Sequence, residues 1–216
     1  MVLELYLFIL EIEFWQNKLS WNIYPELQKG IVRKCIETLK DFLCYNINMK
    51  TLRIINPANI TEEEAKKLEP RLAARGVVFD SNNNVAVLPV SKHDYYKLPG
   101  GGIEDGEDKV TAFRRECLEE IGFDVEVVSE LGIIIEYRTE FNRIQTSYCY
   151  LGNVIGEKKE TAFTEHEMSQ GFKQPVWVPF EEAFKLVSTS NPNNYEGKFI
   201  KERDTLILET SKLNQK

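Results

Sequence analysis

The chain has 216 residues, 43% of them hydrophobic and 28% charged, with a formal net charge of −7. That composition suits one soluble globular domain with an appendage, or at most two small domains. The acidic balance argues against a nucleic-acid polymer or an anionic membrane as partner. The cysteines Cys35, Cys44, Cys117 and Cys149 show neither CxxC spacing nor a dense framework, as expected of reduced thiols in a cytoplasmic protein.

In chain order, Val2 to Leu10 is nearly all apolar, but Glu4 interrupts it and Glu11 and Glu13 follow. The stretch is too short and too acidic for a transmembrane helix and lacks the basic flank of a signal peptide. Glu11 to Phe14 alternates briefly, so strand and helix both remain open there. From Pro25 to about Cys44, Leu27, Ile31, Cys35, Leu39 and Phe42 recur at helical spacing, and Pro25 suits a first turn. This apolar stripe needs a partner, either the core of the main domain or a second copy, which places a homodimer among the expected assemblies.

Leu52 to Ile55 reads as a short strand, and Thr61–Leu68 as a charged helical segment opened by a Thr61/Glu64 capping box. Ala73 to Phe79 and Val85 to Val90 read as strands joined by a turn over Asp80–Asn84. Tyr95 to Leu98 leads into a run of glycines read as a loop. Further on, Val125–Val128, Leu131–Tyr137, Gln145–Leu151 and Val176–Val178 read as strands. Two helices close the chain, Phe180–Val187 with Ala183, Phe184 and Val187 inward, and about Gly197 to Leu213. Strands interleaved with helices predict an α/β fold with a mixed sheet covered by helices.

The densest chemistry lies from Leu98 to Phe123. Gly100, Gly101 and Gly102 let a ligand approach the backbone closely. A helix is predicted to start near Asp105 to Asp108, where an acidic side chain can cap it, and to end at Gly122. Val110, Phe113, Cys117 and Ile121 form its apolar stripe, while Glu116, Glu119 and Glu120 share an adjoining sector with Arg115 beside them. Carboxylates at i, i+3 and i+4 repel, an arrangement better explained if cations sit between them. Hard divalent ions take such oxygen ligands. An E-x-x-E-E alone would be a solvated helix face. Here Gly101 is followed after five residues by Glu107, and after seven more by Arg115-Glu116, Cys117, one residue, Glu119-Glu120, one residue, Gly122 and Phe123. This stretch resembles the Nudix box, G-x5-E-x7-R-E-U-x-E-E-x-G-U, at every fixed position, with the small Cys117 where a larger aliphatic residue is usual.

The resemblance implies the α/β/α sandwich of Nudix hydrolases, strongest over residues 70–190 of a domain spanning 49–216. It leaves residues 1–48 as a partly helical N-terminal extension outside what the family explains. A catalytic unit beginning at Met49 is therefore expected to fold and hydrolyse. The resemblance further implies an enzyme that uses Mg2+ or Mn2+ to cleave the pyrophosphate bond of a nucleoside di- or triphosphate derivative. Oxidised nucleoside triphosphates and nucleotide-sugars such as ADP-ribose are examples. Its metal ligands would be Glu116, Glu119, Glu120 and the Gly101 carbonyl, with Glu107 supporting or water-mediated and Arg115 orienting a box carboxylate. A box carboxylate, Glu116 or Glu119, would accept the proton of the attacking water. Family members often add an acidic residue outside the box, frequently from a loop, for which Glu165 and Glu167, read as lying in a loop before Val176, qualify, Glu167 being preferred. The alternative is a non-catalytic sensor of nucleotide derivatives on the same fold. His93 and His166 lack ligand spacing, and Cys117 falls on the core stripe. The Glu119 and Glu120 carboxylates are expected to be dispensable for folding, so that Glu120→Gln would leave the metal-free protein no less stable.

Overall fold

The computed structural model describes residues 49–213, so the expectations for residues 1–48 lie outside the described residues. Among the described residues, eight strands form one mixed sheet: β1 (Thr51–Ile55), β2 (Glu69–Phe79), β3 (Asn84–Val90), β4 (Tyr95–Lys97), β5 (Gly100–Gly102), β6 (Asp124–Arg138), β7 (Arg143–Ile155) and β8 (Val176–Pro179). The order is β1-β6-β7-β2-β3-β4, with β5 paired to β2 and β8 to β3. The β1/β6 and β2/β7 pairs are parallel and the other pairs antiparallel. The helices are α1 (Glu62–Ala65), α2 (Lys109–Ile121), α3 (Glu165–Gln170), α4 (Phe180–Ser188) and α5 (Tyr195–Leu213). None of them is long and apolar enough to cross a membrane.

The central strands are apolar on both faces because helices cover both. Along β3, Val85 and Val87 point to one side while Ala86 and Leu88 point to the other, the period of two that a pleated strand imposes. On one side Ala183 and Val187 of α4 and Phe199, Ile207 and Leu208 of α5 pack on Val77, Val85, Val87, Leu98 and Ile134. On the other, Phe113, Cys117 and Ile121 of α2 pack on Ala74, Val78, Leu88 and Tyr150. Phe113 stacks on Tyr150 with ring centroids 5.4 Å apart. Gly76 makes room for it, since a Cβ there would meet Phe113 Cζ at 3.0 Å and run into the Tyr150 backbone. A sheet between two helical layers is the predicted sandwich, and α2 is clamped to it by its own apolar stripe.

Several elements differ from expectation for identifiable reasons. The segments Val125–Val128 and Leu131–Tyr137 are one strand, β6, whose continuity is hidden by irregularities between Val127 and Ser129 and between Glu130 and Gly132. Such bulges bend a strand without ending it. The glycine run is a short strand rather than a loop: Gly102, Gly101 and Gly100 pair with Ala73, Ala74 and Arg75. Glu165 and Glu167, expected in a loop, lie in the first turn of α3. The Thr61/Glu64 capping box is present, with the Thr61 amide donating to the Glu64 carboxylate at 2.8 Å, although α1 is only one turn long.

Candidate active site

Helix α2 is fixed at both ends by the residues that its sequence suggests. Asp108 accepts from the Val110 and Thr111 amides at 2.9 and 3.1 Å, satisfying donors that a first turn leaves free. Gly122 closes the helix in the left-handed conformation, φ 74°, and the segment after β7 covers the exposed carbonyls. The Lys159 amide donates to Gly122 O and the Ala162 amide to Glu119 O, both at 2.7 Å. The helix is thus held in register with β5, where the side chains of the box converge.

Arg115 is the hub of that convergence. Its Nε and Nη2 donate to the two Glu107 oxygens at 2.9 and 3.0 Å. Its Nη1 reaches Glu116 Oε1 at 2.9 Å and Glu119 Oε2 at 3.2 Å, and Nη2 also donates to Gly102 O at 2.8 Å. The Arg115 hydrogen bonds hold the Glu107 carboxyl below the usual carboxylate range, and Glu107 in turn raises the Arg115 guanidinium. One guanidinium therefore ties the end of β5, the loop that follows it and two glutamates of α2 into one unit.

Glu120 belongs to a second, deeper group. It is 2% exposed; one oxygen accepts from Lys97 Nζ and the other from the Gly100 amide at 2.8 Å. Lys97, on β4 and 5% exposed, also donates to Gly100 O at 3.1 Å and lies 4.9 Å from the centroid of the Phe172 ring. Burial pushes the Glu120 carboxyl up to about 7, with Lys97 pulling against it. Glu116 is also raised by burial, opposed by Lys97 and Arg115. Its carboxylate lies over Gly101, where a Cβ on that glycine would fall on it.

Two features of the site could not be read from the spacing. Glu116 and Glu120 are buried, and the in-chain cations Arg115 and Lys97 pair with the box carboxylates. Among the described residues, no three carboxylate, imidazole or thiolate groups converge as a ready metal cage. The Glu120 carboxylate also ties α2 to β4 and β5.

Support comes from behind the sheet as well. The Leu98 amide donates to Asp204 Oδ2 of α5 at 2.8 Å, and Arg75 Nη1 to Gly100 O at 3.3 Å. Burial lowers the Arg75 pKa to about 10. Asp204 is itself held by Arg203 Nε at 2.7 Å, and Arg203 and Arg138 flank the fully buried Glu136. Burial pushes Glu136 up, but Arg203, Arg138 and Arg75 together hold it below its ordinary value. Gly100, which opens the glycine run, is thereby held by Glu120 of α2 and by Arg75 of β2.

Residues 69–198 match the family model described as NUDIX domain. The chain belongs to the Nudix family. Two curated relatives are similar to it. One, named 8-oxo-dGTP diphosphatase, of Proteus vulgaris, is 43% identical over 56 residues, 24% of this chain and 50% of that protein. The chain thus spans half the length of that relative. The other, named RNA pyrophosphohydrolase, of a Nitratiruptor species, is 27% identical over 136 residues, 58% of this chain and 86% of that protein. Among solved structures, a NUDIX hydrolase from Nitrosomonas europaea matches at TM-score 0.50 and 14% identity, covering 68% of this chain and 90% of that one. That likeness concerns the fold.

Nudix hydrolases generally use divalent metals. The donor set of this Nudix box fits a hard cation, because Glu116, Glu119, Glu120 and the Gly101 carbonyl offer oxygen alone. Burial raises Glu116 and Glu120 because it disfavours their charged forms. Outside the box, Glu167 closes a capping box, accepting from the Thr164 amide at 2.8 Å and Thr164 Oγ1 at 2.9 Å, and Glu165 is exposed. His93 joins Asn193 and Gln170, each at 3.0 Å, as a structural link, and His166 is exposed. Cys117 is buried on the core side and its thiol is pushed well up by desolvation, leaving no nucleophile there. Sequence reasoning missed Lys97, Phe172 and Asp204. A lysine between Tyr96 and Leu98 in an apolar strand was a visible signal, whereas Arg203-Asp204 reads as an ordinary charged stretch of α5.

Proposed function

We propose that this Nudix protein is a pyrophosphohydrolase that cleaves the phosphoanhydride bond of a nucleoside di- or triphosphate derivative with Mg2+ or Mn2+. The charge balance of the box carries the reading. Among the described residues, Glu107, Glu116, Glu119 and Glu120 are ion-paired with only Arg115 and Lys97. When all four carboxylates are ionised, this cluster lacks two positive charges, the charge of one divalent ion. Such an ion, held by Glu116, Glu120 and the Gly101 carbonyl with Glu119 at the half-exposed rim, would neutralise phosphate charge and acidify water. The chain's own residues supply the rest. Arg115 orients Glu116 and Glu119, and one of these carboxylates accepts the proton of the attacking water. The interactions of Gly100 with Glu120, Arg75 and Lys97 keep the glycine run from drifting.

The family resemblance and the names of the two curated relatives suggest which substrates to try. Oxidised nucleoside triphosphates, ADP-ribose and other nucleotide-sugars, and a 5′-triphosphorylated RNA should be assayed with Mg2+, with Mn2+ and with excess chelator. Metal-dependent release of a nucleotide from at least one small-molecule compound is expected, and turnover undiminished by chelator would sink the mechanism. Cleavage of the RNA alone would move the substrate class to polymers, against the acidic charge of the chain. Saturable binding without cleavage across the panel would favour the sensor reading.

A further inference from the structure

Among the cations of the box, Arg115 and Lys97 are held very differently. Arg115 makes contacts to Glu107, Glu116, Glu119 and Gly102, so moving its guanidinium would break several charge-assisted bonds at once. Among the described residues Lys97, on a flexible four-carbon stem, has a single carboxylate partner, Glu120. Its other contacts, Gly100 O and the face of Phe172, do not involve Glu120 and would remain if that pairing were broken. The ammonium thus stands where a cation held by Glu120 would be placed.

We propose that Lys97 is a placeholder cation: it holds Glu120 in the metal-free protein and leaves it when a divalent ion binds, retiring onto Gly100 O and Phe172. The proposal rests on Glu120 being a metal ligand. A divalent ion attracts a carboxylate at equal distance twice as strongly as an ammonium does. Glu120 is 2% exposed and each of its oxygens already accepts a hydrogen bond, so an arriving metal competes with a partner for the same small, buried carboxylate. The Gly100 amide is fixed in the backbone of β5, so Lys97 is the partner that can be exchanged. This gives the fold a way to keep a carboxylate buried before metal arrives, at the expense of metal affinity.

The test uses the full chain without nucleotide. Crystals soaked in Mn2+ would be examined by anomalous scattering, and the Lys97 ammonium resonance would be followed by NMR in 15N-labelled protein during a Mg2+ titration. The resonance is assigned by its loss in Lys97→Met. Expected are manganese on Glu120 with Lys97 Nζ beyond about 4 Å from that carboxylate, outside ion-pair range, and a saturable Mg2+ shift that Glu120→Gln abolishes. Should Glu120→Gln not fold, Glu120→Asp, which withdraws the carboxylate and keeps its charge, should weaken the shift. Manganese on Glu120 with Lys97 still bonded to it would overturn the proposal and leave the functional reading standing. Manganese seated away from Glu120, or a shift surviving in the Glu120 variant, would remove Glu120 as a ligand, and the proposal with it.

Discussion

Gly101→Ala separates the site from the scaffold more cleanly than any carboxylate substitution. Gly101 pairs with Ala74 in β5 and is not among the glycines with positive φ, so its backbone accommodates alanine. What the new methyl meets is Glu116: an ideal Cβ would stand 2.5 Å from its Cδ and Oε1. Ordinary contact begins near 3.4 Å, so the carboxylate must retreat by roughly 1 Å, a displacement that can reduce a rate on the order of a hundredfold. Stability should barely change. Alanine gains about 0.4–1 kcal/mol by restricting the unfolded chain, and an off-rotamer Glu116 costs about 0.5–1.5 kcal/mol. At roughly 2–4 °C per kcal/mol for a domain of this size, the metal-free thermal midpoint should stay within about 4 °C of wild type. The assay pairs that midpoint with kcat/KM on the best substrate of the panel. An unchanged midpoint with a rate within threefold of wild type would refute the placement of Glu116 at the reacting centre. A fall of more than about 8 °C would make Gly101 a folding residue and the rate uninterpretable.

Arg115→Met should lower kcat/KM by about a hundredfold through loss of alignment, and a carboxyl-resolved NMR titration should find Glu107 returned toward its ordinary pKa. Glu120 makes a signed prediction about pH: its folded pKa, about 7, lies above the ordinary glutamate value of 4.5. The folded state therefore binds more protons between those values, and the stability that Glu120 contributes is greatest below 4.5 and lost as pH rises through about 7. Relative to wild type, Glu120→Gln should gain in thermal midpoint from pH 5 to pH 8; a gap that widens against the variant would show that the Lys97 pairing outweighs burial. Glu167→Gln should cost about 0.5–1 kcal/mol through its capping box and leave kcat within threefold, whereas a drop of orders of magnitude would bring Glu167 to the reacting centre.

How much of this was legible in the sequence differs by kind of signal. The apolar stripe of α2 and its caps at Asp108 and Gly122 could be read because they are local: capping and helical periodicity act over one or two turns. The full lengths of β2, β6 and β7 could not. Glu69–Leu72 and the bulged middle of β6 are partly polar or irregular, and only the neighbouring strands hold them extended. The glycine run reads as a loop because glycine has little strand preference of its own; its strand exists through pairing with Ala73–Arg75 and anchorage at Glu120.

The carboxylate argument shows the same limit in electrostatics. Spacing alone shows that Glu116, Glu119 and Glu120 need a compensating charge, but not where it comes from. Arg115 is adjacent in sequence, and its bond to Glu119 is an ordinary i,i+4 pair. The Glu120 partner lies 23 residues upstream on β4, and nothing in the helix sequence points to it. Two in-chain cations then make the helix foldable before any metal is bound, because each buried carboxylate already has a positive partner. The repulsion that first suggested a metal is therefore partly relieved by the fold. What remains to favour a metal is the surplus of carboxylates over those two cations, a property of the assembled site rather than of the spacing along α2.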